Sequence, residues 1–365
     1  MMRRMTRRQR WFLVCGGLVL TTLLSSAEEG RGECVPERGA TGGADAFVLH
    51  LGSSCSQAER EARAVTAGEL MQALKQGKGV DLSGVVVRGD LYLDELPVTK
   101  PDAIRNLSPE DRAVLEALKG EELHVINGPF ILRRSHVQGR IVNRLKGGYL
   151  VVTGPVLFAG TSFDGPLDLS RTVFLGLVDG SQARFDQESF FVQGRFMHGA
   201  MFSDTRFGPH ARFHRSVFNG PAEFRRADFA GLSELLEVVF DRDADFSKAT
   251  FRMGTGFSGA HCRGTCNFSG AQFQREAFFL FTTFDRSPTF AEARFESVAD
   301  FSDSVFKASD DLASATFVQP PSLAKATRVT ATKPASTGRA PFSQAVTVGL
   351  LVVVLGLLVY IVKAK

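Results

Sequence analysis

The chain has 365 residues, of which 44% are hydrophobic and 22% are charged. Its 43 Lys and Arg residues nearly balance its 39 Asp and Glu residues, so the formal net charge is only +4. A balance this close to neutral does not predict a nucleic acid partner, which normally needs a basic surface.

Residues 1–27 have the pattern of an export signal. Five Arg lie within residues 1–10, an apolar run covers Trp11–Leu24, and the small residues Ser25–Ala27 follow. The apolar run is shorter than the roughly 20 residues that span a bilayer as a helix. We therefore expect residues 1–27 to be a signal peptide that is removed on export. An uncleaved N-terminal anchor is the alternative.

Residues 28–65 form a polar, Gly-rich segment that we expect to be mainly loop. Two cysteines, Cys34 and Cys55, flank part of this segment. In the oxidising compartment that an export signal implies, such a pair is expected to form a disulfide. Two free thiols are the alternative.

Residues 66–162 are expected to begin with a helix and to continue as irregular coils. Thr66 and Glu69 form a capping-box pattern, an apolar helical face starts at Leu70, and Gly77 is a stop signal. A phrase that begins with Gly then recurs and predicts successive strand units, at Gly89–Leu93, Gly128–Leu132, Gly154–Phe158 and Gly165–Leu169.

Between the first two of these units lies a segment with helix signals. Ser108 suits the N-cap, Pro109 suits the first turn, and Gly120 suits the position after the last turn. We therefore predict a helical insertion over residues 108–119 that projects from the coil.

Residues 163–318 carry a strict repeat of Phe. From Phe163 to Phe317 the repeat advances by alternating steps of five and six residues, and Phe occupies 24 of the 29 repeat positions. The residue two places before a repeat position is small in 24 of the 29 cases. Such a period predicts one structural unit that is stacked on itself. The repeat positions without Phe are Leu169, Gly180, Leu235, Cys262 and Leu312.

This repeat fits a strand better than a helix. At about 100° per residue, steps of five and six residues would scatter the Phe side chains around a helix without an apolar stripe. In an extended chain, the Phe and the small residue two places before it face the same side. Each unit is therefore predicted to be a short strand and a turn, with the Phe buried.

Segments such as Ala222–Phe229 and Ala244–Phe251 resemble units of the pentapeptide-repeat family, in its Phe-rich variant with alternating five- and six-residue spacing. The resemblance implies an all-β fold, namely a right-handed quadrilateral β-helix with four units in each coil. It also implies a helix that covers the first coil, a role for which the helix after Thr66 is suited. Side chains at equivalent positions of successive coils would form internal columns, one of which contains Phe185, Phe207, Phe229, Phe251, Phe273 and Phe295.

The C-terminal part carries a second membrane signal. Residues 319–343 are rich in Pro, Ala, Thr and Ser and have only basic charges, which predicts a flexible linker. Residues 344–362 are uncharged and mostly apolar, and they are just long enough for a transmembrane helix. The Lys-containing tail at residues 363–365 would then lie in the cytoplasm. A sorting signal that is removed after export is the alternative.

A second pair of cysteines lies inside the repeat. Cys262 occupies a repeat position and Cys266 a small-residue position, so both are expected to face inward on either side of one corner. A disulfide, two buried thiols and a metal site are the alternatives, and the spacing of only two ligands makes the metal the weakest of them.

No nucleophile, phosphate-binding or dinucleotide-binding motif occurs in a fitting context, so we predict no catalytic residue, no metal ligand and no cofactor. The stacked carboxylates Glu223 and Asp245 are typical of a solvated face. The leading hypothesis is a non-enzymatic, single-pass membrane protein whose rod lies outside the cytoplasm and serves as a rigid interaction or structural scaffold at the cell envelope. Its partners would be the membrane and an envelope protein or glycan.

An exported enzyme or binding module for a cell-wall polysaccharide is the alternative function. Carboxylates beside the predicted insertion would supply its acids, namely Glu110, Asp111, Glu121 and Glu122. Some cytoplasmic members of the family mimic DNA and inhibit topoisomerases. That mimicry needs a strongly acidic rod in the cytoplasm, and this rod is expected to be neither.

Overall fold

The computed structural model describes Cys34 and residues 36–37, 45–104 and 107–329. Four sheets of 10, 11, 9 and 11 strands surround one core, and the chain visits the four sheets in turn. We call these sheets faces 1 to 4, in the order in which the chain meets them. All strand pairs within them are parallel except two. Pro36–Glu37 pairs antiparallel with Ala46–Leu51, and Val98–Thr99 pairs antiparallel with Leu123–Ile126. The described chain is thus an all-β parallel solenoid with four sides.

Faces 1 and 2 adjoin each other at one corner. The strands of face 1 in stacking order are Pro36–Glu37, Ala46–Leu51, Gly79–Ser83, Phe130–Arg133, Val156–Leu157, Val178–Asp179, Ala200–Met201, Ala222–Glu223, Ala244–Asp245 and Cys266–Asn267. Those of face 2 are Val65–Thr66, Val86–Arg88, His136–Val137, Ser162–Phe163, Arg184–Phe185, Arg206–Phe207, Asp228–Phe229, Thr250–Phe251, Gln272–Phe273, Arg294–Phe295 and Thr316–Phe317.

Faces 3 and 4 complete the circuit. The strands of face 3 in stacking order are Leu91–Tyr92, Ile141–Val142, Leu167–Asp168, Ser189–Phe190, His210–Arg212, Leu232–Glu234, Thr255–Gly256, Ala277–Phe278 and Ala299–Asp300. Those of face 4 are Val98–Thr99, Leu123–Ile126, Tyr149–Val152, Thr172–Phe174, Arg195–Phe196, Val217–Phe218, Val239–Phe240, His261–Cys262, Thr283–Phe284, Val305–Phe306 and Thr327–Arg328.

The interior is built from columns of Phe rings. In the column on face 2, Phe185 pairs in register with Phe207, and the ring centroids are 5.5 Å apart. The later rings of that column are closer, with centroid distances of 4.7, 4.7, 4.8 and 4.5 Å along Phe207, Phe229, Phe251, Phe273 and Phe295. Each ring is at most 1% exposed, and burial of one Phe side chain contributes about 2–3 kcal/mol of apolar transfer free energy.

The corners explain why the steps alternate between five and six residues. Except after Leu312, where a 3-10 helix forms, a five-residue step turns at the residue two places after the repeat position, which has a positive φ. Non-Gly examples are Arg171, Gln182, Gln193, Asp204, Arg215, Arg226, Glu237, Lys248, Phe281, Glu292 and Asp303. At the six-residue steps, from face 2 to face 3 and from face 4 to face 1, an additional residue makes the turn, and none of these corners in the described ranges has a non-Gly residue of positive φ. A corner with a left-handed residue therefore needs one residue fewer than the other kind of corner, and the two kinds alternate along the chain.

The N-terminal turn, in which Ala46 pairs with Gly79, is longer than a regular coil because it contains Gln57–Ala62. Two early coils after it are also longer, and their extra residues enter at the corner between faces 3 and 4. Hydrogen-bonded residues in successive coils are 50 residues apart at Val85 and Ser135, 26 apart at Ser135 and Thr161, and 22 apart in the regular coils. The extra residues of the first of these coils include α3, which is the helix Pro109–Glu116. Stacking therefore continues in register across an insertion.

The predicted insertion helix forms, but it does not project from the coil. Ser108 caps α3 by accepting a hydrogen bond from the Asp111 N–H, as predicted. The helix lies on the outer side of face 4, where Leu115 and Leu118 join a second small core with Val151 and other apolar residues. The apolar face of α3 is the physical reason, since a projecting helix would leave these side chains in water.

The N-terminal end contains more regular structure than the loop predicted for residues 28–65. A six-residue strand, Ala46–Leu51, pairs with face 1, and α1 covers Gln57–Ala62. Helix α2 follows at Ala67–Lys75 and begins with the predicted capping box of Thr66 and Glu69. Short 3-10 helices lie at Leu93–Glu95, Pro101–Ala103 and Leu312–Ser314.

The stack also extends past residue 318, although a flexible linker is predicted from residue 319 onward. Thr327 and Arg328 pair in parallel with Val305 and Phe306. Leu323, six residues after Phe317, is partly buried against the core, so the repeat continues into this segment.

The predicted signal peptide at residues 1–27, the apolar segment at 344–362 and the tail at 363–365 lie outside the described residues. In the ranges that are described, none of the helices has the length and apolar character needed to cross a bilayer.

Candidate interaction face

The outer surface of face 3 has a charged part and an apolar part. In its N-terminal half, Arg212 donates a hydrogen bond to Glu234 over 2.5 Å, and the His210 Nε2 atom lies 3.3 Å from the same carboxylate. The Arg212 guanidinium also lies over the Phe190 ring, 5.6 Å from its centroid. Burial raises the pKa of Glu234, but the hydrogen bonds and positive charges of Arg212 and His210 together outweigh it, and the pKa lies below its ordinary value. This half of the face is therefore charged but internally paired.

The next coils of face 3 present an exposed apolar patch. We call it the face-3 patch and define it by Leu232, Leu236, Met253, Phe278, Leu280, Phe281 and Val298. It contains five of the nine large hydrophobic residues that are exposed in the described ranges. Monomeric proteins tend to leave such side chains scattered, so their concentration makes this face the candidate contact surface.

Phe281 is the most unusual member of this patch. It is 63% exposed and has a φ of 55° at a five-residue corner. The same corner in neighbouring coils is occupied by Glu237, Gly259 and Asp303. A bulky aromatic residue is rare in the left-handed region, where Gly or a short polar residue is favoured. The chain thus holds an aromatic ring outward at a position where local energetics favour another residue type.

A row with three glycines, namely Gly254, Gly256 and Gly259, lies one coil before Phe278 and Phe281. Gly256 pairs in register with Phe278, and Gly259 precedes Phe281 by one coil. The position of a Cβ atom at Gly254 would be 3.5 Å from Leu232 Cδ1. At Gly256 it would be only 2.7 Å from Leu236 Cδ2. Side chains of the preceding coil therefore lie over these glycines, and Glu237 does the same at Gly259, where its Cγ atom is 3.2 Å from the position of a Cβ atom.

Residues 208–250 and 224–272 match the family model described as pentapeptide repeats (9 copies). The chain therefore contains pentapeptide repeats. No match was found among curated proteins or among solved structures. Pentapeptide-repeat proteins are generally structural or interaction proteins, which agrees in kind with a contact surface on a rigid solenoid.

The pentapeptide-repeat solenoid also has an open groove of about 720 Å³ at the corner between faces 4 and 1. Its carboxylates include the stacked pair Glu223 and Asp245; Glu223 lies 3.6 Å from Arg225 of its own coil, whereas Asp243 and Asp245 are bonded to the next coil. Asp245 accepts hydrogen bonds from the Ser247 N–H and from Asn267, and Asp243 accepts one from the Thr265 N–H. These carboxylates therefore hold neighbouring turns in register.

The acids near the insertion do not form one cluster with the groove. Asp111 is bonded to Ser108 at the start of α3, and its carboxylate lies 3.8 Å from His198 Nε2. Glu121 accepts a hydrogen bond from the Gly148 N–H. Glu110 and Glu122 belong to the same insertion. In the ranges that are described, no group of three or more His, Cys, Asp or Glu side chains is arranged to hold a metal ion.

The cysteines are joined in two local pairs. Cys34 is bonded to Cys55 at the N-terminal end, and both are buried. Cys262 is bonded to Cys266 across the corner between faces 4 and 1, where both side chains face the core and are at most 2% exposed. The second pair replaces a Phe and a small residue of the usual repeat.

Sequence reasoning missed the face-3 patch. It followed the repeat positions, which are buried, and the patch lies on residues between them. Two signals were present in the sequence, namely a second Phe directly before the repeat residue Phe279, and Phe281 at a position that is otherwise polar or Gly.

Proposed function

We propose that this pentapeptide-repeat protein is a non-enzymatic, membrane-anchored scaffold whose rigid rod lies outside the cytoplasm and presents an interaction surface at the cell envelope. The observation that carries the proposal is the contrast between two surfaces of the rod. The groove carboxylates Asp243 and Asp245 are engaged in bonds between coils, whereas the face-3 patch is exposed and apolar.

Two features of the sequence support the location. Residues 1–27 have the pattern of a signal peptide, and residues 344–362 have the length and composition of a single transmembrane helix. The two disulfides are in keeping with an oxidising compartment.

The ends of such a rod need protection, because an uncovered coil exposes unpaired strand edges. We propose that α2 contributes this cover at the N-terminal end. Its Leu70 and Leu74 side chains are buried in the main core together with Val80.

Membrane fractionation tests the proposal. The full chain should sediment with membranes and resist extraction at alkaline pH, and a variant that ends at residue 343 should be exported as a soluble protein. In cells whose outer layer has been permeabilised while the cytoplasmic membrane remains closed, added protease should cleave the rod but should not cleave a tag after residue 365. A rod that stays protected on the cytoplasmic side would overturn the location, and a full chain that is soluble would overturn the anchor.

The groove between faces 4 and 1 supports a second candidate function, namely that of an enzyme or binding module for a cell-wall polysaccharide. Its volume and its carboxylates favour a polar ligand. Purified protein should then bind or cleave isolated wall polysaccharide, and Glu223→Gln together with Asp245→Asn should abolish this. Activity or binding that survives both substitutions would remove the groove from consideration.

A further inference from the structure

We propose that a pocket at the N-terminal end of the rod binds the phosphate group of a polar ligand about the size of a monosaccharide. The pocket lies where α1 meets the corner between faces 1 and 2, and its volume is about 390 Å³. We call it the N-terminal pocket and define it by Arg60 on α1, Arg134 and Gly160 at the corner, and His136 and Ser162 on face 2. The inference goes beyond the scaffold function and does not depend on how the rod is anchored.

The charges in the N-terminal pocket have a single sign. None of the twelve described residues that line it is Asp or Glu, whereas two are Arg and one is His. His136 Nε2 is bonded to Asp164 Oδ2 over 2.7 Å. In the part of the chain that the structure describes, neither Arg60 nor Arg134 forms an ion pair. The unpaired charge of the pocket is therefore that of two guanidinium groups.

These two guanidinium groups converge on one stretch of backbone. Arg134 Nη2 donates a hydrogen bond to Ser83 Oγ over 3.1 Å, and Arg60 Nη1 donates one to the carbonyl oxygen of the next residue, Gly84. Arg60 also donates to two carbonyl oxygens of the loop that precedes α1, which fix its position. Carbonyl oxygens accept hydrogen bonds but carry no net charge, so the two cations repel each other until an anion lies between them.

Glycines provide the space that the two groups need. The corner residues before and after Arg134 in the stack are Gly84 and Gly160, and both line the pocket. A Cβ atom at Gly84 would clash with Arg60 Nη1, so the missing side chain admits that guanidinium. A Cβ atom at Gly160 would be 3.5 Å from Arg134 Cγ, which is an ordinary contact. Gly84 thus accommodates one cation, and Gly160 leaves the other open to the pocket.

Two other arginines at left-handed corners of the rod are neutralised by a neighbouring coil. Arg226 donates to Asp204 one coil earlier, over two distances of 2.6 Å. Arg215 donates to Glu237 one coil later, over 2.8 and 3.2 Å. Arg134 has a φ of 48° at a corner of the same kind, but glycines stand at the equivalent positions on both sides. The regular coils therefore supply a corner carboxylate that the N-terminal pocket lacks among the described residues.

Phosphate suits this pocket better than a carboxylate. A phosphate group has up to two negative charges and three terminal oxygen atoms, so it can accept hydrogen bonds from both guanidinium groups at once. A carboxylate has one charge and two oxygen atoms, which match a single guanidinium. Ser53, Gln57 and Ser162 add polar groups to the lining, and the volume lies within the range of small-molecule sites. A phosphate ester with a sugar-sized polar body fits both properties.

Chemical modification of arginine locates the site in the full chain, kept in detergent micelles. Phenylglyoxal modifies accessible guanidinium groups, and mass spectrometry quantifies the product at each Arg. We expect glucose 6-phosphate and inorganic phosphate to protect Arg134, and we expect glucose to leave it unprotected. Arg275 is the internal control, because it is exposed and forms no ion pair within the described residues, and its modification should not change.

Three results of this experiment would overturn the inference. The first is that neither phosphate compound protects Arg134. The second is that Arg275 is protected equally, or that Arg242 in the groove between faces 4 and 1 is protected instead. The third is that glucuronate protects Arg134 as well as glucose 6-phosphate does, because this would remove the assignment to phosphate.

A charged variant and its neutral counterpart test the electrostatic argument. Gly160→Asp places a carboxylate one coil after Arg134, in the arrangement that Glu237 has to Arg215. Asp is accepted at this corner, since Asp204 has a φ of 58° there. Calorimetry should show a roughly tenfold weaker affinity for glucose 6-phosphate, because a charge-assisted hydrogen bond from Arg134 is lost to the new carboxylate.

Gly160→Asn adds nearly the same volume without the charge and should weaken the affinity much less. Thermal unfolding shows that both variants are folded. Equal losses for Gly160→Asp and Gly160→Asn, or an affinity that Gly160→Asp leaves unchanged, would contradict the role of the two unpaired guanidinium groups.

Discussion

The Phe196 ring stacks on the Phe218 ring with a centroid separation of 4.4 Å and an angle of 2° between the ring planes. Their strands are paired in register on face 4, one coil apart. Ring stacking and backbone pairing therefore impose the same spacing. Two separate interactions thus set the position of each coil relative to the next.

Truncation of one ring should show how much such a column contributes. Phe218→Ala is expected to destabilise the protein by about 3–5 kcal/mol, because it removes a fully buried ring and leaves a cavity between its neighbours. Phe278→Ala, on the surface of face 3, should cost less than about 1 kcal/mol. Denaturant unfolding of both variants measures the difference, and equal losses would show that the columns do not dominate stability.

The corner at Phe281 should be improved by Gly. Phe281→Gly is expected to raise the free energy of unfolding by about 1 kcal/mol, since Gly adopts a φ of 55° without a Cβ penalty. The control is Val298→Gly, a change at a similarly exposed apolar residue that is not among those with positive φ, and it should destabilise by about 0.5–1 kcal/mol. If the two variants lose stability alike, corner strain at Phe281 is refuted.

The buried disulfide should be replaceable by the normal residues of the repeat. Replacing Cys262 and Cys266 with Ser is expected to cost about 2 kcal/mol from the lost short loop closure, and more from the two buried hydroxyl groups. Cys262→Phe with Cys266→Ala should recover most of this loss, because Phe and Ala are the usual residues at these positions. Thermal unfolding ranks the variants, and a Phe and Ala variant below the Ser variant would show that the corner has no room for a ring.

Asp168 should make stability depend on pH. Burial raises the pKa of Asp168, and hydrogen bonds from Ser170 offset only part of that rise. The folded state thus favours the protonated acid, so the contribution of Asp168 to stability declines as the pH rises from the unfolded pKa through the folded one. Asp168→Asn is expected to raise the midpoint of thermal unfolding at pH 7 and to have little effect near pH 3.

A matched control isolates the effect of burial at Asp168. Asp179 accepts the same local hydrogen bond, from the Ser181 N–H, and Asp179→Asn serves as the comparison. A stabilisation by Asp168→Asn that is equal at pH 3 and pH 7 would contradict the assignment to ionisation.

Much of the solenoid could be predicted from the sequence because one side-chain pattern specifies it. The Phe positions and the small residues before them follow the period of a strand, and both are buried as expected. Even the exception at Gly180 has a local reason. A Cβ atom there would be 2.8 Å from the Phe202 ring, which occupies the space of the missing side chain.

Features outside that pattern were harder to predict. Helix α3 could be recognised from Ser108 and Pro109, but its docking on face 4 depends on outward residues such as Val151 and Val173, which no local signal relates to the insertion. The end of the stack was placed too early because residues 319–329 lack Phe, although Leu323 keeps the repeat. The face-3 patch depends on residues from four coils, and only the fold brings them together.

The corner between faces 3 and 4 has a practical consequence for engineering. Both long coils absorb their excess there, and the strands beyond them resume the regular spacing of one coil. A foreign domain grafted at the equivalent corner of a later coil, for example beside Asp303, should therefore fold as a side branch. The rod would then hold grafted domains at separations that are whole multiples of the rise of one coil.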